Sequence, residues 1–92
     1  MIKEFRCKET QRVFQRRYSK RFSGIQRRAL RKLLVLDAAG LLEDLRVPSA
    51  NRLEKLSRDR DDQHSIRIND QWRICFRWRD GHAHDVEIVD YH

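Results

Sequence analysis

The chain is poor in the features that build membrane proteins, disulfide scaffolds and nucleotide-dependent enzymes. No apolar run approaches the roughly 18–20 residues of a membrane span. The opening Met1-Ile2-Lys3-Glu4-Phe5-Arg6 lacks the long apolar core of a secretory signal. The expectation is a cytoplasmic protein with no membrane association. Cys7 and Cys75 stand far apart and form no Cys-x-x-Cys pair, which reads as two reduced thiols. Gly24, Gly40 and Gly81 are the only glycines, so no Gly-rich loop cradles a phosphate. His82-Ala83-His84 puts two possible ligands on one strand face. No third ligand stands at a telling spacing, so no metal is expected. With 92 residues, the chain makes one domain, 1–92. A chain of this size buries only about 60–65% of its unfolded surface. That excludes a two-domain enzyme with a deep cofactor pocket.

What is abundant is positive charge. Hydrophobic residues make up 39%, enough for one core, and the formal charge is +7. Sixteen of the basic residues are Arg and five are Lys. Arg presents a planar five-donor fork suited to phosphates and base edges. Residues 1–36 carry 12 basic and 2 acidic side chains, net +10; residues 37–92 carry 9 and 12, net −3. A one-sided excess of this size is the electrostatic footprint of a polyanion partner, nucleic acid first.

Residues 2–6 read as a short first strand. Thr10, Val13, Phe14 and Tyr18 predict a helix over 8–20, with Arg12, Arg16, Arg17 and Lys20 on its other face. Ser23 followed by Gln26 predicts a capping box for a second helix, whose core stripe is Ile25, Ala29, Leu30, Leu33, Leu34 and Leu36. Arg27, Arg28, Arg31 and Lys32 lie between them. Gly40 is its expected stop, and residues 41–45 add a further turn before Pro48. Residues 52–56 suit a short edge strand or an extended stretch. Runs at 63–68, 72–79 and 83–91 then predict a β-meander. The fold class is α+β: an N-terminal strand and two helices packed on an antiparallel meander.

Period-2 alternation puts Trp72, Ile74, Phe76 and Trp78 on one face and Arg73, Cys75 and Arg77 on the other. Three-residue loops, 69–71 and 80–82, would pair Ile66 and Ile88 with Ile74, and Val86 with Phe76. This register sets Arg77 opposite Asp85 as an ion pair. It also sets Arg67 opposite Arg73 with no acid in register, a costly arrangement. Either a bound phosphate offsets that cost, or acidic loop residues such as Asp61 or Asp62 reach in.

The meander, with Asn69-Asp70-Gln71-Trp72-Arg73-Ile74, the terminal Asp90-Tyr91-His92, and Asn51-Arg52-Leu53-Glu54-Lys55-Leu56 followed by Asp59-Arg60, resembles HigB, a toxin family within the RelE/ParE superfamily. The resemblance spans essentially the whole chain, and its C-terminal third is the specific part. It implies a compact microbial-RNase-like fold and ribosome-dependent cleavage of mRNA in the decoding site. It also implies a helix-turn-helix antitoxin partner, HigA, and no metal or organic cofactor. The toxin itself is expected as a monomer that forms oligomers through its antitoxin. The family's active site uses the terminal Asp-Tyr-His and a histidine of the central loop. Here the triplet is intact as Asp90, Tyr91 and His92, but the loop position carries Glu54. A carboxylate serves as a base, yet donates a proton at neutral pH only if its pKa is raised.

Metal-free RNA cleavage needs a base for the ribose 2′-OH, a cation for the phosphoryl oxygens and an acid for the leaving 5′-oxygen. The expected division is Arg73 for charge, His92 and Glu54 for protons, Asp90 for orientation and Tyr91 for substrate placement. Lys55, Arg58, Arg60 and Arg67 are expected near the RNA. Arg16, Arg17, Lys20, Arg27, Arg28 and Arg31 would track ribosomal RNA phosphates or seat an acidic antitoxin segment. Two other readings stay open: a ParE-like poison of DNA gyrase, and a ribosome-binding inhibitor that cuts nothing.

Overall fold

The structure, a computed structural model, describes residues 1–56 and 62–90. Helix α1 (Lys8–Phe14) buries Thr10 and Val13, one turn apart, and carries Glu9 in its first turn and Arg12 in its last. Both charges suit the helix dipole. The helix expected over 8–20 ends here because Arg16 turns left-handed, φ 61°. Arg12 then donates to the Tyr18 carbonyl at 3.0–3.1 Å. Tyr18 is therefore no core residue; it is 65% exposed.

Helix α2 (Gln26–Ala38) buries Ala29, Leu33 and Leu36. Leu34, expected in the stripe, is 39% exposed. The capping box at Ser23 does not form: Ile25 is the cap residue and makes no side-chain cap bond. Gln26 serves the preceding loop instead. Its oxygen accepts the Ser19 N–H at 3.0 Å and its amide donates to the Arg17 carbonyl at 2.5 Å. Gly40 is not the stop either. Ala39 leaves the helix extended, and Asp44 accepts the N–H groups of Gly40 and Leu41 at 3.1 and 3.0 Å. Two 3-10 turns follow, Leu42–Arg46 and Ser49–Asn51.

Four strands, β1 (Glu54–Lys55), β2 (Gln63–Arg67), β3 (Trp72–Arg79) and β4 (His82–Asp90), form an antiparallel sheet in chain order. Helices and sheet share one core, in which Val13, Leu33 and Leu36 join Ile66, Ile74, Val86 and Ile88. Phe22 meets Trp72 edge-on at 5.4 Å.

The expected N-terminal strand is reduced to two parallel bridges, Ile2 to Ala83 and Phe5 to Val86. Both pairs are spaced by three residues, so the segment follows β4 without a period-2 strand of its own. Lys3 donates to Ala83 O at 2.8 Å and Arg6 to Val86 O at 3.0 Å. The Thr10 hydroxyl then accepts the Ile88 N–H at 2.9 Å.

The first loop matches expectation. Asn69 Oδ1 accepts the N–H of Gln71 and Trp72 at 2.9 and 2.8 Å, and Ile66 pairs with Ile74. The second loop does not. Asp80 and Gly81 form a two-residue turn with φ of 52° and 78°, pairing Arg79 with His82 and Trp78 with Ala83. Positive φ at both central residues matches the strand twist. A bulge at Asp85 (φ 50°) between Cys75 and Arg77 restores the register, and Ile74 meets Ile88 as expected. The three-residue loop assumed no bulge; the chain has a tighter turn plus one extra residue.

Candidate active site on the open face of the sheet

Directly opposed residues share a face. Arg67 opposite Arg73, Ser65 opposite Cys75, and Glu54 opposite Ser65 therefore build the face away from the core. Arg73 is its centre and is 5% exposed. Its Nε donates to Ser65 Oγ at 2.8 Å, and Nη2 donates to the Arg52 carbonyl at 2.5 Å. Glu54 Oε1 lies 3.9 Å from Nη1, and that carboxylate side chain is 49% exposed. The arrangement is a buried cation beneath a half-exposed carboxylate. A charge held in a dry site acts more strongly than one in water.

The backbone that builds this pair is specialised. Arg52 is left-handed, φ 44°, which aims its carbonyl at Arg73 and starts β1. Asn51, fully buried, accepts Lys32 Nζ at 2.5 Å and donates to the Leu45 and Val47 carbonyls at 3.2 and 3.4 Å. Lys32, one of the basic residues between the core stripe positions, is thus turned toward Asn51. Burial, then Arg31 and Arg67, lowers its pKa. Ser65 was missed in the sequence, and Asn51 and Arg52 stood there only in the family run with no role, because polar residues on a loop or strand carry no periodic signal. A left-handed Arg has none at all.

The opposed Arg67 and Arg73 are as expected, and among the described residues an acidic side chain answers each of them, though not Asp62. Arg67 pairs with Asp70; Arg73 takes Glu54, Ser65 and the Arg52 carbonyl. Asp62 instead serves Arg79 at 2.9 Å and Arg77 at 3.4 Å. The Arg79 hydrogen bond holds its carboxyl below the usual range. Arg77 also pairs with Asp85 at 3.2 Å, the expected ion pair, although His84 is its register partner. Asp61 lies outside the described residues.

Asp90 is opposite Trp72, whereas Val89 is opposite Arg73. Strand alternation therefore puts Asp90 on the Trp72 side, where Gln71 donates to it at 3.1 Å. Tyr91, His92, Arg58 and Arg60 lie outside the described residues. Lys55 is exposed on β1. Arg16, Arg17 and Lys20 are exposed in the α1–α2 connection, and Arg27, Arg28 and Arg31 are exposed on α2. Cys7 and Cys75 are both free thiols. Burial and Glu87 push the Cys75 thiol up to about 11, which disqualifies it as a nucleophile at neutral pH. His84 Nδ1 sits 2.9 Å from Glu4. No group of three metal-ligating residues occurs among the described residues. Nor is any helix among them long and apolar enough to cross a membrane.

Comparison with known proteins adds a family to this geometry. Residues 3–92 match the model of the RelE-like toxin of type II toxin–antitoxin system HigB. Toxin HigB-1 of Vibrio cholerae serotype O1 is 46% identical over 61 residues, covering 66% of this chain and 64% of that protein. The match thus spans just under two thirds of the Vibrio toxin's length. An uncharacterized protein of Haemophilus influenzae is 32% identical over 71 residues, 77% of this chain and 70% of its own.

Proposed function

Because the chain belongs to the HigB-like family of RelE-like type II toxins, we propose that it halts translation by cutting mRNA on the ribosome without a metal. The observation that carries this reading is the Glu54–Arg73 pair on the open sheet face, with a guanidinium fixed by Ser65 and the Arg52 carbonyl. Glu54 takes the proton of the ribose 2′-OH. The oxygen attacks the adjacent phosphorus, and the fixed charge of Arg73 stabilises the oxygens of the phosphorane. His92 protonates the departing 5′-oxygen and Tyr91 places the substrate; Asp90, on the Trp72 side of the sheet and not beside Arg73, acts only by orienting the imidazole from behind. The ribosome positions the RNA, which lets a small domain act with little substrate-binding surface of its own. The exposed arginines of α2 and of the α1–α2 connection track ribosomal RNA. A HigA-like antitoxin neutralises the toxin in the cytoplasm.

The test is cleavage of mRNA on programmed ribosomes with mapping of the new 5′ ends. Wild type cuts in the decoding site; Glu54→Gln, Arg73→Ala and His92→Ala fall by about 10²–10⁴-fold. Intact mRNA with wild-type protein removes the nuclease. Inhibited gyrase supercoiling in its place would select the ParE-like activity.

A further inference from the structure

Next to the Glu54–Arg73 pair, the same sheet face holds a pocket of about 120 Å³, lined by Leu56, Gln63, Cys75, Arg77, Glu87 and Arg6 among others. Ser65 separates it from Glu54 in the row Glu54–Ser65–Cys75–Glu87. Cys75 is two residues from Arg73, ~7 Å along the strand. We propose that this pocket receives one nucleobase beside the bond that is cut, and that Glu87 selects a base bearing an exocyclic amino group. The proposal rests on the nuclease reading for its substrate, RNA.

Size gives the first argument. The volume is well below the ~300–1,000 Å³ of metabolite sites. It suits one flat base better than a whole nucleotide. Charge gives the second. Arg6 faces Glu87 at 3.5 Å, and Arg77 lies between Asp85 at 3.2 Å and Asp62 at 3.4 Å. Each cation is already compensated, so a phosphate gains little there and a neutral polar ring is the better guest. Chemistry gives the third. A thiol that stays protonated and the Leu56 side chain are among the lining groups. The Glu87 carboxylate is an acceptor without a proton to give, held by a 3.5 Å contact to an exposed arginine. Carboxylates read exocyclic amino groups such as cytosine N4. Uracil carries carbonyl oxygens in place of such a group.

The experiment is an NMR titration of the isotope-labelled full chain with 2′-O-methylated pentamers of A, C and U, which bind but lack the attacking hydroxyl. The A or C pentamer is expected to shift the Cys75, Arg77 and Glu87 amides with at least about five-fold higher affinity than U. In Glu87→Gln, whose amide also donates, the ratio falls below two-fold. Unmoved amides with all three pentamers, or a preference unchanged in Glu87→Gln, overturns the pocket. Shifts at these amides without ribosomal cleavage leave the base site standing and remove the nuclease. Cleavage with silent pocket amides does the reverse.

Discussion

Arg73 shows how a residue's neighbours decide its use. A lysine there keeps the charge but cannot fork between Ser65 and the Arg52 carbonyl. Arg73→Lys should lose about 1–3 kcal/mol in urea unfolding, since buried acceptors are left unmet. It should also cut more slowly than its stability loss explains. Cys75 offers a control on the same face. With its thiol near 11, alkylation at pH 8 should run on the order of 10²-fold slower than for a free cysteine, and urea should restore the normal rate. Asp62 carries a sign that can be checked. Its folded pKa lies below its unfolded one, so its ion pairs add stability above the unfolded value. That stability disappears as pH falls through the folded value. Asp62→Asn should flatten the acid limb of a stability-against-pH curve, measured from about pH 5 downward. Arg73, Glu54 and Arg67 were legible in the sequence from alternation and resemblance. The roles of Ser65, Arg52 and Asn51 were not, because a hydrogen bond between residues many positions apart leaves no local pattern.

At the scale of elements, β3 read correctly to the residue because an alternating aromatic and aliphatic face has one sensible burial. α1 and the second hairpin read less well, and both failures have the same cause. Left-handed residues other than glycine, Arg16, Asp80 and Asp85, ended a helix, tightened a turn and inserted a bulge. Only Asp80, beside Gly81, gave a cue. The bulge is testable. Replacing Asp85 with Val, whose branched side chain resists positive φ, should cost roughly 1–3 kcal/mol in stability, more than Asp85→Gly. Thr10→Val keeps the shape of the α1–β4 contact and strands the Ile88 N–H. It should cost about 1–3 kcal/mol, with faster hydrogen exchange at Ile88.

For the whole molecule, the proposed docking and the proposed cleavage draw on different charges, and salt distinguishes them. Ribosome affinity should fall steeply with ionic strength, by about 0.7–0.9 in log K per log salt for each phosphate met. Reversing Arg27, Arg28 and Arg31 to Glu should flatten that slope by two or three units. Cleavage positions should remain unchanged, because phosphate contacts carry no sequence.

The N-terminal segment gives the molecule a second property. Met1 to Arg6 exchanges backbone bonds with β4 at Ala83 and Val86, and Thr10 takes Ile88. One border of the sheet is thereby occupied by the chain's own beginning. The opposite border, β1, is two residues long. Among the described residues, neither side presents the long row of open amides on which a second sheet grows. A small domain built on few strands needs protection from stacking on its own copies. This fold meets that need by using up its edges before another chain can.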